Sequence, residues 1–380
     1  MPGIYIHIPF CRQACHYCNF HFSVSQKRRP EFVQALKKEI ALQRDFLRTD
    51  DREKNHLDTL YLGGGTPSLL DISELEEIFS ELFKYYQLTP DAEVTLEANP
   101  DDLSQEKLTA LRNTPVNRLS IGIQSFHATD LKYMNRSHTS EQAGKVLINA
   151  RKAGFENITA DLIYGTPGMN DQLWRENIMR LLSFDIPHIS AYSLTVEKKT
   201  ALEVFIRKGK AVPVDEEQSA RQFEILCEIT SQYGYEHYEI SNFGKPGFFS
   251  RHNLSYWSGV PYLGLGPSAH SYRDGKRRWN VANTCAYIDN LQNGQLPPFE
   301  QEILNIDQQY NEYVMTALRT MWGVDKALVK NHFGNDYFEK MMHAAQKHLK
   351  NGKMGETPTQ LFISSEGKFF ADGIAADLFT

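Results

Sequence analysis

Cys11, Cys15 and Cys18 stand in the run Ile8-Pro9-Phe10-Cys11-Arg12-Gln13-Ala14-Cys15-His16-Tyr17-Cys18-Asn19-Phe20. Three thiolates within eight residues can grip one metal centre from a single loop. They leave one corner of a four-iron cluster without a protein ligand, because such a cluster has four irons to ligate. An open corner is a place for a substrate or cofactor, so the spacing points to chemistry at a cluster rather than to electron storage alone. Zinc is the competing reading, since His16 or His21 could complete a tetrahedral site. A second cysteine knuckle is missing: Cys227 and Cys285 are isolated and read as ordinary residues.

The elements that must position this loop form a repeating pattern. Apolar, β-rich runs at Ile4–Pro9, Leu57–Leu62, Ala92–Glu97, Arg118–Gln124, Ile158–Tyr164 and His188–Leu194 alternate with amphipathic stretches. The amphipathic stretches are Pro30–Leu47, Ser73–Tyr86, Ser104–Asn113, Ser140–Ala153 and Asp171–Ser183, with Ser73 and Ser104 as N-caps. Such alternation makes a parallel sheet in an α/β fold. Polar residues and glycines gather at the strand ends: Gly63 to Thr66, Glu97, Gln124, Asp161 and Thr195. Barrel enzymes build their sites at that end, which favours a partial (β/α)6 TIM-type barrel.

The pattern changes after a helix at Glu216–Tyr233 and a strand at Tyr235–Ser241. The chain divides into residues 1–240 as the core, 241–305 as an aromatic and glycine-rich connecting segment, and 306–380 as a smaller helical domain. In the last, Gln308–Met321, Val324–His332 and Tyr337–Lys350 read as helices, and Gln360–Ile363 with Gly367–Ala371 as a hairpin. Three helices and a hairpin give a winged-helix-like arrangement.

Composition bounds the function class. The chain has 380 residues, 41% hydrophobic, and a formal net charge of −6. That charge argues against a nucleic-acid groove as the working surface, and Lys276-Arg277-Arg278 reads as a solvated loop. Five cysteines, three of them clustered, do not make a disulfide scaffold and fit a reducing cytosol. No apolar stretch approaches the roughly 20 residues of a membrane span, and the N-terminus shows no signal sequence, so the expectation is a cytoplasmic protein.

Cys-x-x-x-Cys-x-x-Cys with Tyr17 before the last cysteine resembles the signature of the radical SAM superfamily. Leu62-Gly63-Gly64-Gly65-Thr66-Pro67 strengthens the likeness. The resemblance implies a [4Fe-4S] cluster on Cys11, Cys15 and Cys18. S-adenosylmethionine would chelate the fourth iron, and an electron from the cluster would cleave its sulfonium.

Further blocks are similar to the coproporphyrinogen III dehydrogenase-like branch: Tyr5-Ile6-His7-Ile8-Pro9-Phe10, Glu97-Ala98-Asn99-Pro100, Ser120-Ile121-Gly122-Ile123-Gln124-Ser125-Phe126 and Asp161-Leu162-Ile163-Tyr164-Gly165-Thr166-Pro167-Gly168. By that likeness Tyr5, Gly64, Gly65, Thr66, Glu97, Gln124, Arg136 and Asp161 contact S-adenosylmethionine. The branch holds a dehydrogenase and a haem chaperone. The dehydrogenase pattern has a cysteine where this chain has Phe20, and an extension before its first strand; both features favour the chaperone.

His252-Asn253-Leu254-Ser255-Tyr256-Trp257 also resembles the chaperone's motif. It makes His252 the candidate haem ligand, with His270 in Gly264-Leu265-Gly266-Pro267-Ser268-Ala269-His270 as a second, because an imidazole ligates haem iron and aromatics stack on the macrocycle. The implied partners are haem as cargo, haem-receiving proteins and an electron donor; a homodimer is compatible with the reading. A methyltransferase of the same branch is the remaining alternative.

Overall fold

A computed structural model describes residues 2–48 and 55–380. Six strands run parallel in chain order: β1 Gly3–Ile8, β2 Asn55–Gly64, β3 Tyr86–Ala98, β4 Arg118–Gln124, β5 Asn157–Tyr164 and β6 His188–Ser193. Representative registers are Tyr5↔Tyr61, Tyr61↔Thr95, Glu97↔Ser120, Ser120↔Thr159 and Asp161↔Ser190. These are the strands of the expected partial barrel.

Side chains alternate across a strand, and here the two faces differ in chemistry. One face carries Ile4, Ile6, Ile8, Leu60, Leu62, Val94, Leu96, Leu119, Ile121, Ile158, Ala160 and Leu162, all buried in the main core. Helices Arg29–Leu42, Ile72–Leu82, Gln105–Leu111, Ser140–Lys152 and Asp171–Leu182 cover that face. Each fully buried Leu or Ile contributes roughly 1.5–3 kcal/mol, so this outer layer carries the stability. The other face is polar: Tyr5 and His7, Thr59 and Tyr61, Glu93, Thr95 and Glu97, Arg118 and Ser120, Thr159 and Asp161, His188 and Ser190. A closed (β/α)8 barrel fills its interior with branched apolar side chains; this one keeps hydrogen-bonding groups there.

The sheet continues past both edges. β6 pairs antiparallel with β8 Asn242–Gly244, which pairs with β7 Glu236–Glu239. On the other edge β1 pairs with β9 Tyr262–Leu265, followed by the antiparallel strands β10 His270–Arg273, β11 Lys276–Asn280 and β12 Phe299–Ile303. The described strands make a twelve-stranded order β12-β11-β10-β9-β1-β2-β3-β4-β5-β6-β8-β7. The segment read as an aromatic connector thus supplies five strands and two helices, Arg251–Trp257 and Thr284–Gln292. Lys276-Arg277-Arg278 is not a loop but the start of β11, where Arg278 lies over the Phe299 ring.

Local chemistry explains two further differences. The second helix starts one residue before Ser73: Asp71 is its N-cap, in a capping box with Glu74. Ser104 does cap the third helix, accepting from the Lys107 amide at 3.2 Å.

The C-terminal unit packs helices Ile306–Leu318 and Asn335–Lys350 on a three-stranded antiparallel sheet. The hairpin partner of Gln360–Ile363 is Met354–Glu356, not Gly367–Ala371. Ser364 caps the Gly367 amide and turns that stretch into a 3-10 helix followed by Ala371–Asp377. Arg319 ties this unit to the sheet, 3.0 Å from Glu239 and over the Trp257 ring.

Candidate functional site

The cysteine loop leaves β1 and is pinned to it. The Cys11 amide donates to the Ser23 carbonyl at 3.0 Å, and the Ser23 amide to the Pro9 carbonyl at 2.8 Å. The turn after β2 locks against the same stretch: the Gly65 amide donates to Ile8 and the Thr66 amide to Phe10, at 2.9 and 2.7 Å. A Cβ at Gly65 would stand 2.7 Å from both of those carbonyl oxygens. Gly64 adopts φ 101°, a conformation that L side chains rarely accept. The glycines are therefore required by contact and by backbone angle, and they bring Thr66 to the thiols.

Thr66 Oγ1 donates to Cys11 Sγ at 3.4 Å, and Arg136 Nη1 to Cys15 Sγ at 3.4 Å. Burial pushes the Cys11 thiol up to about 11 and also raises Cys18; the neighbouring thiols add to the rise at both, while the Thr66 hydroxyl pulls Cys11 down and the Arg136 guanidinium pulls both down. Among the described residues, no three histidine, cysteine or acidic side chains close into a ligand cluster. His16 and His21, the candidates for a zinc site, are turned to other partners: His16 Nδ1 meets the Tyr133 carbonyl at 3.0 Å and His21 Nε2 the Thr284 hydroxyl at 2.9 Å. Three half-buried thiols beside a guanidinium fit an iron–sulfur cluster, whose irons would remove the thiol protons.

Beside the thiols lies a second group of polar side chains. Arg136 Nη2 donates to Asn99 Oδ1 at 2.6 Å and to the Gly122 carbonyl at 3.0 Å. Its Nε is buried with no hydrogen-bond partner. Glu97 accepts from Tyr61 at 2.7 Å and from the Gly64 amide at 3.1 Å. Asp161 accepts from Ser120 at 3.4 Å and from Ser190. Burial raises both carboxyls, and Glu97 raises Asp161 further, to about 7. Two neighbouring acids without a dedicated cation, together with an orphaned guanidinium nitrogen, fit a ligand carrying ammonium, sulfonium, carboxylate and hydroxyl groups. S-adenosylmethionine has that donor and acceptor set. Gln124 is buried at a register irregularity of β4, with φ 62°.

Gly64, Gly65, Thr66, Glu97, Gln124, Arg136 and Asp161 thus collect at one end of the strands with Cys11, Cys15 and Cys18, while Tyr5 stands further down β1, stacked on Tyr61 at 6.0 Å and on His252 at 6.4 Å. Thr195 does not join them: it is exposed beyond the end of β6, and Ser190 supplies the polar contact. Tyr61, Asn99 and Ser120 escaped the sequence reading. Period-two alternation carried the signal, because Tyr61 shares a face with Gly63, and Ser120 with Gly122.

His252 is placed elsewhere. Its ring is buried one layer deeper in the interior, towards the strand N-termini, with Nδ1 2.8 Å from Thr59 Oγ1 and Nε2 2.8 Å from Tyr256 OH. It stacks on Tyr61 at 5.0 Å. Both ring nitrogens thus face hydroxyl groups, Thr59 on one side and Tyr256 on the other. Its helix is held end-on: Glu93 accepts from the Arg251 and His252 amides at 3.1 and 3.0 Å. Arg118 stands 3.6 Å from Glu93, both side chains almost fully buried. Segment Phe248–Trp257 stoppers the strand N-terminal end of the interior.

Residues 5–181 match the model of the radical SAM superfamily. The "Heme chaperone HemW" of Bacillus subtilis is 33% identical over 376 residues, 98% of each chain. That of Lactococcus lactis is 35% identical over 92% of this chain and 89% of its own. A solved structure of coproporphyrinogen III oxidase (HemN) from Escherichia coli superposes with TM-score 0.85 at 21% identity, covering 100% of this chain and 90% of that one, which shows the shared fold. With such identity sustained over almost the whole of both chains, the protein belongs to the HemW family of the radical SAM superfamily.

Proposed function

We propose that this protein is a haem chaperone: it binds haem and passes it to haem-dependent proteins, carrying a [4Fe-4S] cluster on Cys11, Cys15 and Cys18 with S-adenosylmethionine at the fourth iron. The likeness to curated heme chaperones over 98% of both chains carries the reading. Phe20 supports it. Two positions after Cys18, where the dehydrogenase pattern has a fourth cysteine, this chain exposes a phenyl ring with 67% of its surface open.

Thr66 and Arg136 would screen the thiolates, while Glu97 and Asp161 would hold the cofactor's amino and ribose ends. The cluster, when bound, supplies the electron that a separate donor must replace. Among the described residues no helix is long and apolar enough to cross a membrane, and we place the protein's work in the cytoplasm.

The test is an anaerobically reconstituted sample. Iron and sulfide near about four per chain, uptake of ferric haem, transfer to an apo-haemoprotein, and no conversion of coproporphyrinogen are the expected results. Formation of protoporphyrinogen by the same sample, without haem uptake, would replace this reading with the dehydrogenase.

A further inference from the structure

The chain carries a formal net charge of −6, yet one short stretch of it is strongly cationic. After β6 it runs through Val196-Glu197-Lys198-Lys199-Thr200, forms the helix Ala201–Arg207, and leaves through Lys208-Gly209-Lys210-Ala211-Val212. Lys198, Lys199, Arg207, Lys208 and Lys210 are exposed, against Glu197 and Glu203 as the acids. Glu203 answers Arg207 at 3.3 Å across one helical turn. Lys198, Lys199, Lys208 and Lys210 form no ion pair among the described residues.

Other basic runs are neutralised where they stand. Arg28 pairs with Glu31 and Asp289, Arg29 with Asp71 and Glu74, and Arg277 with Glu302 and Glu312. Acidic residues resume only at Asp215, whose carboxylate is engaged in capping the helix Glu216–Gln232.

The place of this stretch matters as much as its charge. The Leu202 amide donates to the His16 carbonyl at 2.8 Å, inside the loop between Cys15 and Cys18. Phe205 meets the His16 ring edge-on at 5.0 Å, and Leu202, Ile206, Ala211 and Val214 pack with Tyr17 in one apolar cluster. Asn19 reaches Glu197 at 3.4 Å. The helix therefore rests directly on the cysteine loop, and one hydrogen bond joins its first turn to the peptide between two thiols. The loop also meets Thr66 and Arg136, but these belong to the cofactor pocket. Among the cations stand exposed apolar side chains, Val196 and Val212 on the stretch and Phe20 on the loop.

A cluster that gives up an electron must be refilled from outside, by a carrier that comes close without entering the cofactor pocket. Electron-transfer encounters are small and transient, and opposite charges steer them. Unpaired cations around a small apolar spot, laid on the cluster loop, fit an acidic partner of that kind. We propose that Val196–Val212 is the docking surface for an acidic, low-potential one-electron carrier protein, with Lys198, Lys199, Lys208 and Lys210 as its charge contacts. One electron leaves the carrier, which is oxidised, and reduces the cluster on Cys11, Cys15 and Cys18; no bond or proton changes partner. The proposal rests on the cluster reading above.

The experiment mixes full-length, cluster-reconstituted protein anaerobically with two carriers in turn, plant-type ferredoxin and flavodoxin. Wild type, K198E/K199E/K208E/K210E, K198Q/K199Q/K208Q/K210Q and a control, K145E/K152E on the exposed face of the helix Ser140–Lys152, are compared. Affinity for the oxidised carrier is titrated, and the rate of cluster reduction by the reduced carrier is followed by electron paramagnetic resonance. Iron content, circular dichroism and the extent of reduction by dithionite report on cluster and fold. At least one carrier should bind and reduce wild type, at a rate that falls at least tenfold between about 50 and about 500 mM salt. The charge reversal should slow that rate at least tenfold at low salt and remove most of its salt dependence; the glutamine variant should fall between, and the control should match wild type. A charge-reversed protein that binds and is reduced like wild type overturns the docking surface and leaves the cluster reading intact. So does a wild type that dithionite reduces and neither carrier does. A wild type that holds no iron after reconstitution overturns the cluster reading, and the proposal with it.

Discussion

Asp161 offers a direct test of the cofactor pocket. Its carboxyl, ordinarily near 3.8, is raised to about 7 by burial and by the nearby charge of Glu97. Between those two values the folded protein holds a proton that the unfolded chain has lost, so stability falls as pH rises. Below about pH 4 the full contribution is present; above about pH 7 it is gone. At about 1.4 kcal/mol per pH unit the upper bound is about 4 kcal/mol. Solvent reaches the half-buried carboxyl, and screening leaves roughly 1–2 kcal/mol. Asp161→Asn removes the charge and keeps an oxygen for Ser120. It should stabilise the cofactor-free protein at pH 8, leave it nearly unchanged at pH 4.5, and weaken S-adenosylmethionine binding at either pH. Paired thermal melts at the two pH values, with a cofactor titration, measure all three. Equal melting shifts at both pH values, or unchanged cofactor affinity, would refute the reasoning.

Two other substitutions probe the frame around the site. Glu93→Gln leaves Arg118 charged and buried without its partner, a loss of about 3–5 kcal/mol; a lower melting temperature and faster proteolysis within residues 245–258 are expected, and an unchanged melt counts against the ion pair. Gly65→Ala drives a methyl against the Ile8 and Phe10 carbonyls, so iron content after reconstitution should fall severalfold while the circular dichroism spectrum stays native; full iron loading would show that the turn tolerates displacement.

The six parallel strands and the cofactor end were legible because both signals are local. Strand alternation, glycine spacing and the cysteine triad lie within a few residues of one another. The edge strands were not: β8 to β10 have three or four residues each and sit among glycines, prolines and aromatics, so no period could develop. The surroundings of His252 were hidden for a different reason. A histidine beside Tyr256 and Trp257 has the composition of a ligand site, and only the fold reveals that Thr59, 193 residues away, occupies its Nδ1. Glu39, fully buried on the first helix, was silent in sequence as well, since donors to its carboxylate come from as far away as residues 266, 280 and 287. Long-range polar satisfaction is the property that a single sequence conceals most completely.

The stopper formed by Phe248–Trp257 bears on how separable the parts of this protein are. The superfamily match ends at residue 181, and a boundary near 240 looks natural on the chain. Yet the strand N-terminal end of the interior is not an apolar surface that could tolerate being uncovered. Glu93 and Arg118 meet there, Tyr238 receives the Ser250 amide at 3.1 Å, and His188 bonds Tyr238 at 2.7 Å. The six-stranded part cannot satisfy these groups by itself; it borrows its completion from residues that follow it in sequence. The six-stranded half and the half that follows it therefore form one cooperative unit, and variation that lengthens, swaps or truncates the second half is felt at the base of the first.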